Sequence, residues 1–338
     1  MTTVRRQSEI TAIVQLRAWK LALAGPSVYW YFPVFYAILT TKANVSQIGL
    51  VALFVVLMVS ASWGFLLNDL FDREADSKSG RADLIHGHTL KKSTMQLLIL
   101  STAIISWGVV FLVGGNYVFK IVLAFDYLIA TLYSLPPVKL KIRRFWGFLA
   151  NSLMERPLPI LVFLSYMNYY NVYTIVMPIM MELTWSVFKH QTADVRQDIE
   201  AHVATFAAYL GEELSNKIVN WFLNPLSVLS LLFLTLLGIL NIPSSRSLLE
   251  VIFVVTLIGV FVGFFAQKRG MITTYITPTD PPYIMFLNLS YKFLLLPIMA
   301  YAILSSTPSY YLLIVILTAT LCYHAYAYWK FLRKALIV

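Results

Sequence analysis

Apolar residues run through this chain in blocks of about twenty, not in the alternation of a strand or the narrow stripe of a surface helix. The blocks cover roughly 18–40, 46–68, 94–114, 117–134, 145–166, 172–190, 218–240, 247–267, 284–304 and 308–330. About 20 apolar residues in a helix cross a ~30 Å hydrocarbon core, so the pattern predicts ten membrane helices. A transmembrane β-barrel is excluded, because its strands would alternate between lipid-facing and lumen-facing residues. The polar intervals are short except at about 72–93 and 191–217.

Charge gives these blocks an orientation. Arg5 and Arg6, then Arg73, Lys78, Arg81, Lys91 and Lys92, then Lys139, Lys141, Arg143 and Arg144, then Arg196 and Lys217, then Lys268 and Arg269, and finally Arg333 and Lys334 fall on one side. The opposite side holds only Lys42, Lys120 and Arg246. By the positive-inside rule both termini, the even-numbered loops and the two long polar loops are cytoplasmic. Residues 7–23 read as a partly amphipathic helix, with no signal or transit peptide.

Composition agrees with the pattern. Of 338 residues, 59% are hydrophobic and 12% charged, and the mean hydropathy is +0.73. The net charge of +10 sits in loops between spans, which is membrane topology and not a nucleic-acid surface. The one cysteine, Cys322, rules out a disulfide framework or a thiolate metal site. With no linker or low-complexity tract, residues 1–338 form one membrane domain.

The candidate chemistry lies where two apolar blocks end in carboxylates. Continued as a helix, the second block puts Asn68, Asp72 and Asp76 on one face, because residues four apart stack. The sixth ends in Asp194 and Asp198, again four apart. Seven of the sixteen acidic residues fall in these two stretches: Asp69, Asp72, Glu74, Asp76, Asp194, Asp198 and Glu200. Carboxylates crowded together repel unless a cation sits between them, and oxygen donors of this kind suit Mg²⁺ shared with a phosphate. A diphosphate fits as the anion, with Arg17, Arg73, Lys78 and Lys141 placed to hold its free oxygens. A leaving diphosphate on an allylic carbon leaves a carbocation, and 15% aromatic residues offer ring faces to shelter it.

Three motifs, in order, resemble the UbiA superfamily of intramembrane prenyltransferases over roughly residues 15–215. The first is Asn68-Asp-Leu-Phe-Asp72-Arg-Glu-Ala-Asp76. The second aspartate-rich motif is similar to Asp194-Val-Arg-Gln-Asp198 with Thr205 and Leu210-Gly211. Between them stands Tyr133-Ser-Leu-Pro-Pro-Val-Lys-Leu-Lys141. The resemblance implies an all-α polytopic helix bundle around a central cavity with a cytoplasmic cap. Nine helices are family-like, and 308–338 adds a tenth. It also implies that Asn68, Asp72, Asp76, Asp194 and Asp198 bind Mg²⁺-diphosphate, that Lys141 and Arg17 contact the diphosphate, and that Tyr133 lies near the reacting carbon. Where the family commonly has Arg-Pro-Leu-x-x-Gly, this chain has Ala82-Asp83-Leu84-Ile85-His86-Gly87, so the cap is altered.

The expected function is Mg²⁺-dependent ionisation of a prenyl diphosphate and transfer of the prenyl group to an aromatic or lipid-like acceptor within the lipid bilayer. One alternative is a UbiA-type terpene synthase that cyclises the chain without an acceptor. Another, from a different class, is a transporter of a small anion or lipid precursor, whose pathway would be the ionisable groups at depth: Asp126, Glu155, Arg156, Glu182 and Lys292. Against the transporter stands a structural reading in which Glu155 or Glu182 pairs with Arg156. His86 and His88 read as polar loop residues, and His190 as a neighbour of the second cluster placed to take a proton from an acceptor. Tyr166, Tyr169, Tyr170 and Tyr173 read as an interfacial aromatic belt.

Overall fold

The computed structural model describes residues 11–16, 18, 19, 27–41, 45–78, 90–200, 203–269 and 281–336, excepting the side chains of 27, 74–78, 282, 308, 327, 328 and 330–336. Its described helices are α1 (Ser27–Thr41), α2 (Gln47–Lys78), α3 (Lys92–Val113), α4 (Tyr117–Ser134), α5 (Arg144–Glu155), α6 (Pro157–Tyr166), α7 (Val172–Thr184), α8 (Val187–Ala193), α9 (Val195–Glu200), α10 (Phe206–Leu210), α11 (Glu212–Ile218), α12 (Asn224–Asn241), α13 (Arg246–Lys268), α14 (Pro282–Ser290), α15 (Leu296–Ser306) and α16 (Tyr311–Leu336). Among the described residues, six helical stretches are long and apolar enough to cross a membrane: 47–73, 92–113, 117–134, 212–241, 243–268 and 283–306. All six fall on predicted blocks.

At the centre stands α1. Val28, Trp30, Tyr31, Phe32, Val34, Phe35, Tyr36, Ala37 and Ile38 are all buried, and a helix buried on every side is a core helix. Its aromatic rings meet those of Phe54 on α2 and Phe163 on α6. The outer helices have the inverse pattern. On α3, Leu97, Leu100, Ile104, Ile105, Phe111 and Leu112 are exposed, as are Val251, Val254, Ile258, Phe261 and Val262 on α13, and such surfaces face lipid.

Several predicted spans are broken. The fifth block is two helices, because Pro157 lacks an N–H and bars its predecessor from helical geometry; Arg156 sits between α5 and α6 at φ −137°, ψ −56°. The sixth block parts at Trp185 and Ser186, where the Glu182 carboxylate accepts the Val187 N–H at 3.0 Å. Two π-helical turns, Val219–Leu223 and Tyr291–Leu295, each end two residues before a proline, Pro225 and Pro297. A proline ring crowds the carbonyl four residues back, which falls inside each turn, and widening the helix there relieves the crowding.

The tail helix α16 is tied to the start of the bundle. Tyr310 Oη donates to Val45 O at 3.0 Å, the Leu312 N–H donates to Gln47 Oε1 at 2.7 Å, and Tyr31 Oη lies 3.4 Å from Thr320 Oγ1. The four-tyrosine belt holds only in part. Tyr170 is exposed, but Tyr169 is buried and Tyr173 packs edge-on against Tyr36, because the turn after α6 folds back onto the core.

Asn116 joins α4 to α6. Its Oδ1 accepts the Phe119 N–H at 3.1 Å as an N-cap, while Nδ2 donates to Ser165 O at 2.6 Å and Asn168 Oδ1 at 2.8 Å. Removing an N-cap costs about 1 kcal/mol, while Ser165 O keeps the Tyr170 Oη and the Asn168 N–H as donors. Asn116→Ala is therefore expected to lower stability by about 1 kcal/mol, measured by denaturant unfolding in detergent. An unchanged midpoint would contradict this account of the α4–α6 turn.

Candidate active site

At a rise of ~1.5 Å per residue, the 32 residues of α2 reach about 48 Å, so its last turns extend past a ~30 Å hydrocarbon core. These turns carry Asn68, Asp72 and Arg73. Lys141 meets the first two together: its Nζ donates to Asn68 Oδ1 at 3.1 Å and forms an ion pair with Asp72 Oδ1. Lys139 Nζ lies 3.8 Å from the same Asp72 oxygen, and Ser134 Oγ lies 3.5 Å from Asn68 Oδ1. Asp69 is fully buried within electrostatic reach of Arg73, whose Nη2 donates to Leu90 O at 3.0 Å. Arg73 thus anchors the start of α3.

The loop that delivers the lysines is fixed by its neighbours. Lys139 (φ 41°) and Arg144 (φ 45°) both take left-handed backbone, which side chains adopt only where the surroundings hold them. Arg143 ties the loop to itself, with Nε donating to Val138 O at 2.6 Å. Gly147 lets α5 lie directly on it, since a Cβ there would stand 2.6 Å from Leu140 O and 2.9 Å from Lys141 Cα.

The second motif comes to the same place from the other side of α5. Arg144 pairs with Thr205 in an isolated backbone bridge, and its guanidinium lies 4.1 Å over the Tyr209 ring. Phe145, Phe148, Phe188 and Phe206 pack as one aromatic cluster beneath. Asp198 is buried and accepts from Thr205 Oγ1 at 2.9 Å, while Thr205 also caps α10. Asp194 ends α8 and is exposed, yet the Asp198 N–H still donates to Asp194 O at 2.9 Å, so the two keep their helical spacing across the join while their burial differs. Tyr133 lies within electrostatic reach of Asp72, Asp198 and Glu155. The two motifs therefore share a neighbour.

Arg17 and the side chains of Asp76 and Lys78 lie outside the described residues, as do His86, His88 and His202. Among the described residues, no three of His, Cys, Asp or Glu group as a metal cluster. The oxygens of Asn68 and Asp72 both meet the Lys141 ammonium.

Glu155, within electrostatic reach of Tyr133, belongs to a charged and aromatic seam. Arg156, at the break between α5 and α6, pairs with Glu155 at 3.1 Å and Glu182 at 2.9 Å, which is the structural pairing expected from the sequence. Arg156 and Lys292 lie 5.1 and 5.4 Å from the Tyr29 ring centroid. Tyr29 stacks on Trp185 at 4.4 Å, Trp185 donates to Asn288, and Tyr291 completes the cluster. Lys292 Nζ lies 3.5 Å from His324 Nδ1 on α16. Tyr29, Trp185, Tyr291 and His324 did not stand out in the sequence, where aromatic residues in apolar blocks are too common to single any out. Asp126 is buried, and its Oδ1 has no hydrogen-bond partner among the described residues.

The sequence model of the UbiA prenyltransferase family matches residues 29–290. The chain belongs to that family. Three structures of a UbiA homolog from Archaeoglobus fulgidus share the fold. The one bound to GPP and Mg²⁺ aligns with a TM-score of 0.54 at 17% identity, the one bound to DMAPP and Mg²⁺ with 0.53 at 16%, and a third with 0.54 at 17%. Each alignment covers 84% of this chain and 98% of the homolog. Among curated proteins, none matches this chain. As a UbiA protein with six apolar crossing helices, it is an integral multi-pass membrane protein. Lys292 and α16 lie beyond the matched stretch.

The Arg156 pairs are buried, and removing one partner of a buried ion pair strands the others at a cost of about 3–5 kcal/mol. Arg156→Met is expected to destabilise the protein by roughly 3 kcal/mol, and Arg156→Met with Glu182→Gln to recover part of that loss. Denaturant unfolding in detergent checks both. A double variant less stable than the single one would contradict the pairing.

Proposed function

We propose that this protein is a Mg²⁺-dependent prenyltransferase that ionises an allylic prenyl diphosphate and passes the prenyl group to an aromatic or lipid-like acceptor. The observation that carries the reading is the pairing of Asn68 and Asp72 with an ammonium group, in a UbiA chain where Tyr133 lies within electrostatic reach of both Asp72 and Asp198. A homolog of this fold bound to GPP or DMAPP with Mg²⁺ supports it.

In this reading Asn68, Asp72, Asp76, Asp194 and Asp198 hold Mg²⁺, which when bound neutralises the diphosphate and improves it as a leaving group. Lys141, with Arg17, Arg73 and Lys78, binds diphosphate oxygens. The C1–O bond breaks with its electron pair going to the diphosphate; the acceptor supplies a pair to C1 and loses a proton. Tyr133 stands beside the reacting carbon, where its ring face stabilises developing positive charge. Basic residues concentrated in the loops on the motif side support a cytoplasmic location for the site and both termini.

Transfer is favoured over cyclisation by the charged and aromatic seam. A cyclase needs ring faces free for a migrating carbocation, and the Tyr29 ring already has two cations within about 6 Å. Transport is disfavoured because Arg156 is neutralised by Glu155 and Glu182 rather than strung along a pathway.

Purified protein with geranyl, farnesyl or geranylgeranyl diphosphate is expected to release pyrophosphate only with Mg²⁺ and a phenolic or lipid-alcohol acceptor. Asp72→Ala and Asp198→Ala should each lower that rate at least about 100-fold. Hydrocarbon or alcohol products without an acceptor would establish the cyclase instead. No release under any condition would refute both enzymes.

A further inference from the structure

We propose that Glu155 is the catalytic base of the transfer, taking the proton that an aromatic acceptor must lose once its ring carbon is bonded to the prenyl group. This rests on the reading of Tyr133 as the neighbour of the reacting carbon. The proton is released beside that carbon, so its receiver must stand near Tyr133, and Glu155 lies within electrostatic reach of that ring. His190, which the sequence placed for this task, is exposed. Of the two carboxylates on Arg156, Glu182 has both oxygens engaged, Oε2 with the guanidinium at 2.9 Å and Oε1 with the Val187 N–H at 3.0 Å. Glu155 meets Arg156 through Oε2 at 3.1 Å, and among the described residues no hydrogen bond reaches its Oε1. Its side chain is 26% exposed, against 14% for Glu182 and 3% for Arg156.

The surroundings let this one carboxylate cycle a proton. Glu155 ends α5 at the break before Pro157, and the Trp30 indole N–H donates to its backbone oxygen at 3.2 Å, which fixes the end of α5 on the core helix α1. Trp30 on α1, Tyr133 on α4 and, through Arg156, Glu182 on α7 surround it. A carboxylate within a membrane span faces protein or a cavity rather than lipid, so the exposed part of Glu155 opens onto the space between these helices. When Glu155 takes up a proton, Arg156 keeps the Glu182 carboxylate and the Tyr29 ring 5.1 Å away, and the guanidinium is not stranded. The step balances. The C1–O bond breaks with its pair on the diphosphate, and a ring carbon of the acceptor gives a π pair to C1. The C–H pair at that carbon then returns to the ring as its proton moves to Glu155 Oε1, to be passed to water when the product leaves.

The test gives purified protein Mg²⁺, geranyl, farnesyl or geranylgeranyl diphosphate with ¹⁸O in the C1–O bridge, and hydroquinone, 1-naphthol or 4-hydroxybenzoate. Two readouts are followed: prenylated product, and movement of ¹⁸O out of the bridge, which reports ionisation that reverses before transfer. Glu155→Gln should lower product formation at least about 100-fold, the usual contribution of a general base, while ¹⁸O movement persists. Glu182→Gln also takes one carboxylate from Arg156 but leaves the base, and should keep most of the wild-type transfer rate. Glu155→Asp keeps Arg156 paired and draws the base back by one carbon, and should slow transfer at least about tenfold. Equal losses in Glu155→Gln and Glu182→Gln would make Glu155 a structural partner of Arg156 and overturn the proposal. So would wild-type transfer in Glu155→Gln or in Glu155→Asp, or a loss of ¹⁸O movement together with transfer. Wild type that moves ¹⁸O but prenylates none of the three aromatic acceptors overturns this proposal alone; wild type that neither moves ¹⁸O nor releases pyrophosphate overturns the prenyltransferase reading as well.

Discussion

A carboxylate at the mouth of a membrane helix needs a partner, and Asp72 finds one on a different helix connection. The contact of Lys141 with Asp72 and Asn68 fixes where the α4–α5 loop must lie, and that loop, through Arg144 and Gly147, fixes where Thr205 and Asp198 must lie. Two motifs far apart in sequence are thereby linked through one loop. Polar groups in hydrocarbon that lack partners cost several kcal/mol each; Glu155, Arg156 and Glu182 are locked into such a chain of contact, and Asp126 is the exception.

The same constraint explains the broken helices. Backbone that leaves helical geometry inside a bilayer is tolerated where protein covers it or a cavity lies beside it. The break at Arg156 is occupied by a guanidinium held by two carboxylates, and the break after Thr184 has its free Val187 N–H accepted by Glu182. Glu182 serves both breaks. The π turn at Tyr291–Leu295 brings Lys292 to the Tyr29 ring and to His324, so α16, outside the family match, reaches the inner seam.

Much of this was legible in the sequence, for physical reasons. A helix that crosses lipid must be apolar along its length, so the blocks at 46–68, 94–114 and 117–134 reappear as α2, α3 and α4. Spacing by four on a helix fixes a face, so Asn68 and Asp72 were bound to share one, and Lys141 meets both. Spacing did not show that Asp194 would be exposed and Asp198 buried, because burial depends on tertiary contacts. Nor did apolar length reveal the breaks, since Pro157 and Glu182 act through hydrogen bonds that hydropathy does not register. Arg156 with Glu155 and Glu182 was foreseeable as a pairing, while the partnership of Lys292 with His324 joins residues on separate helices and left no trace in local pattern.

The central claim is that Asp72 and Asp198 serve one metal–diphosphate site. The most direct measurement is a crystal structure with Mn²⁺ and a non-hydrolysable prenyl thiodiphosphate, located by anomalous scattering. The account predicts manganese bound by Asn68 and Asp72 on one side of the diphosphate and by the second motif on the other, with Lys141 moved from Asp72 to a phosphate oxygen. Manganese and diphosphate bound elsewhere, with Lys141 still on Asp72, would contradict it.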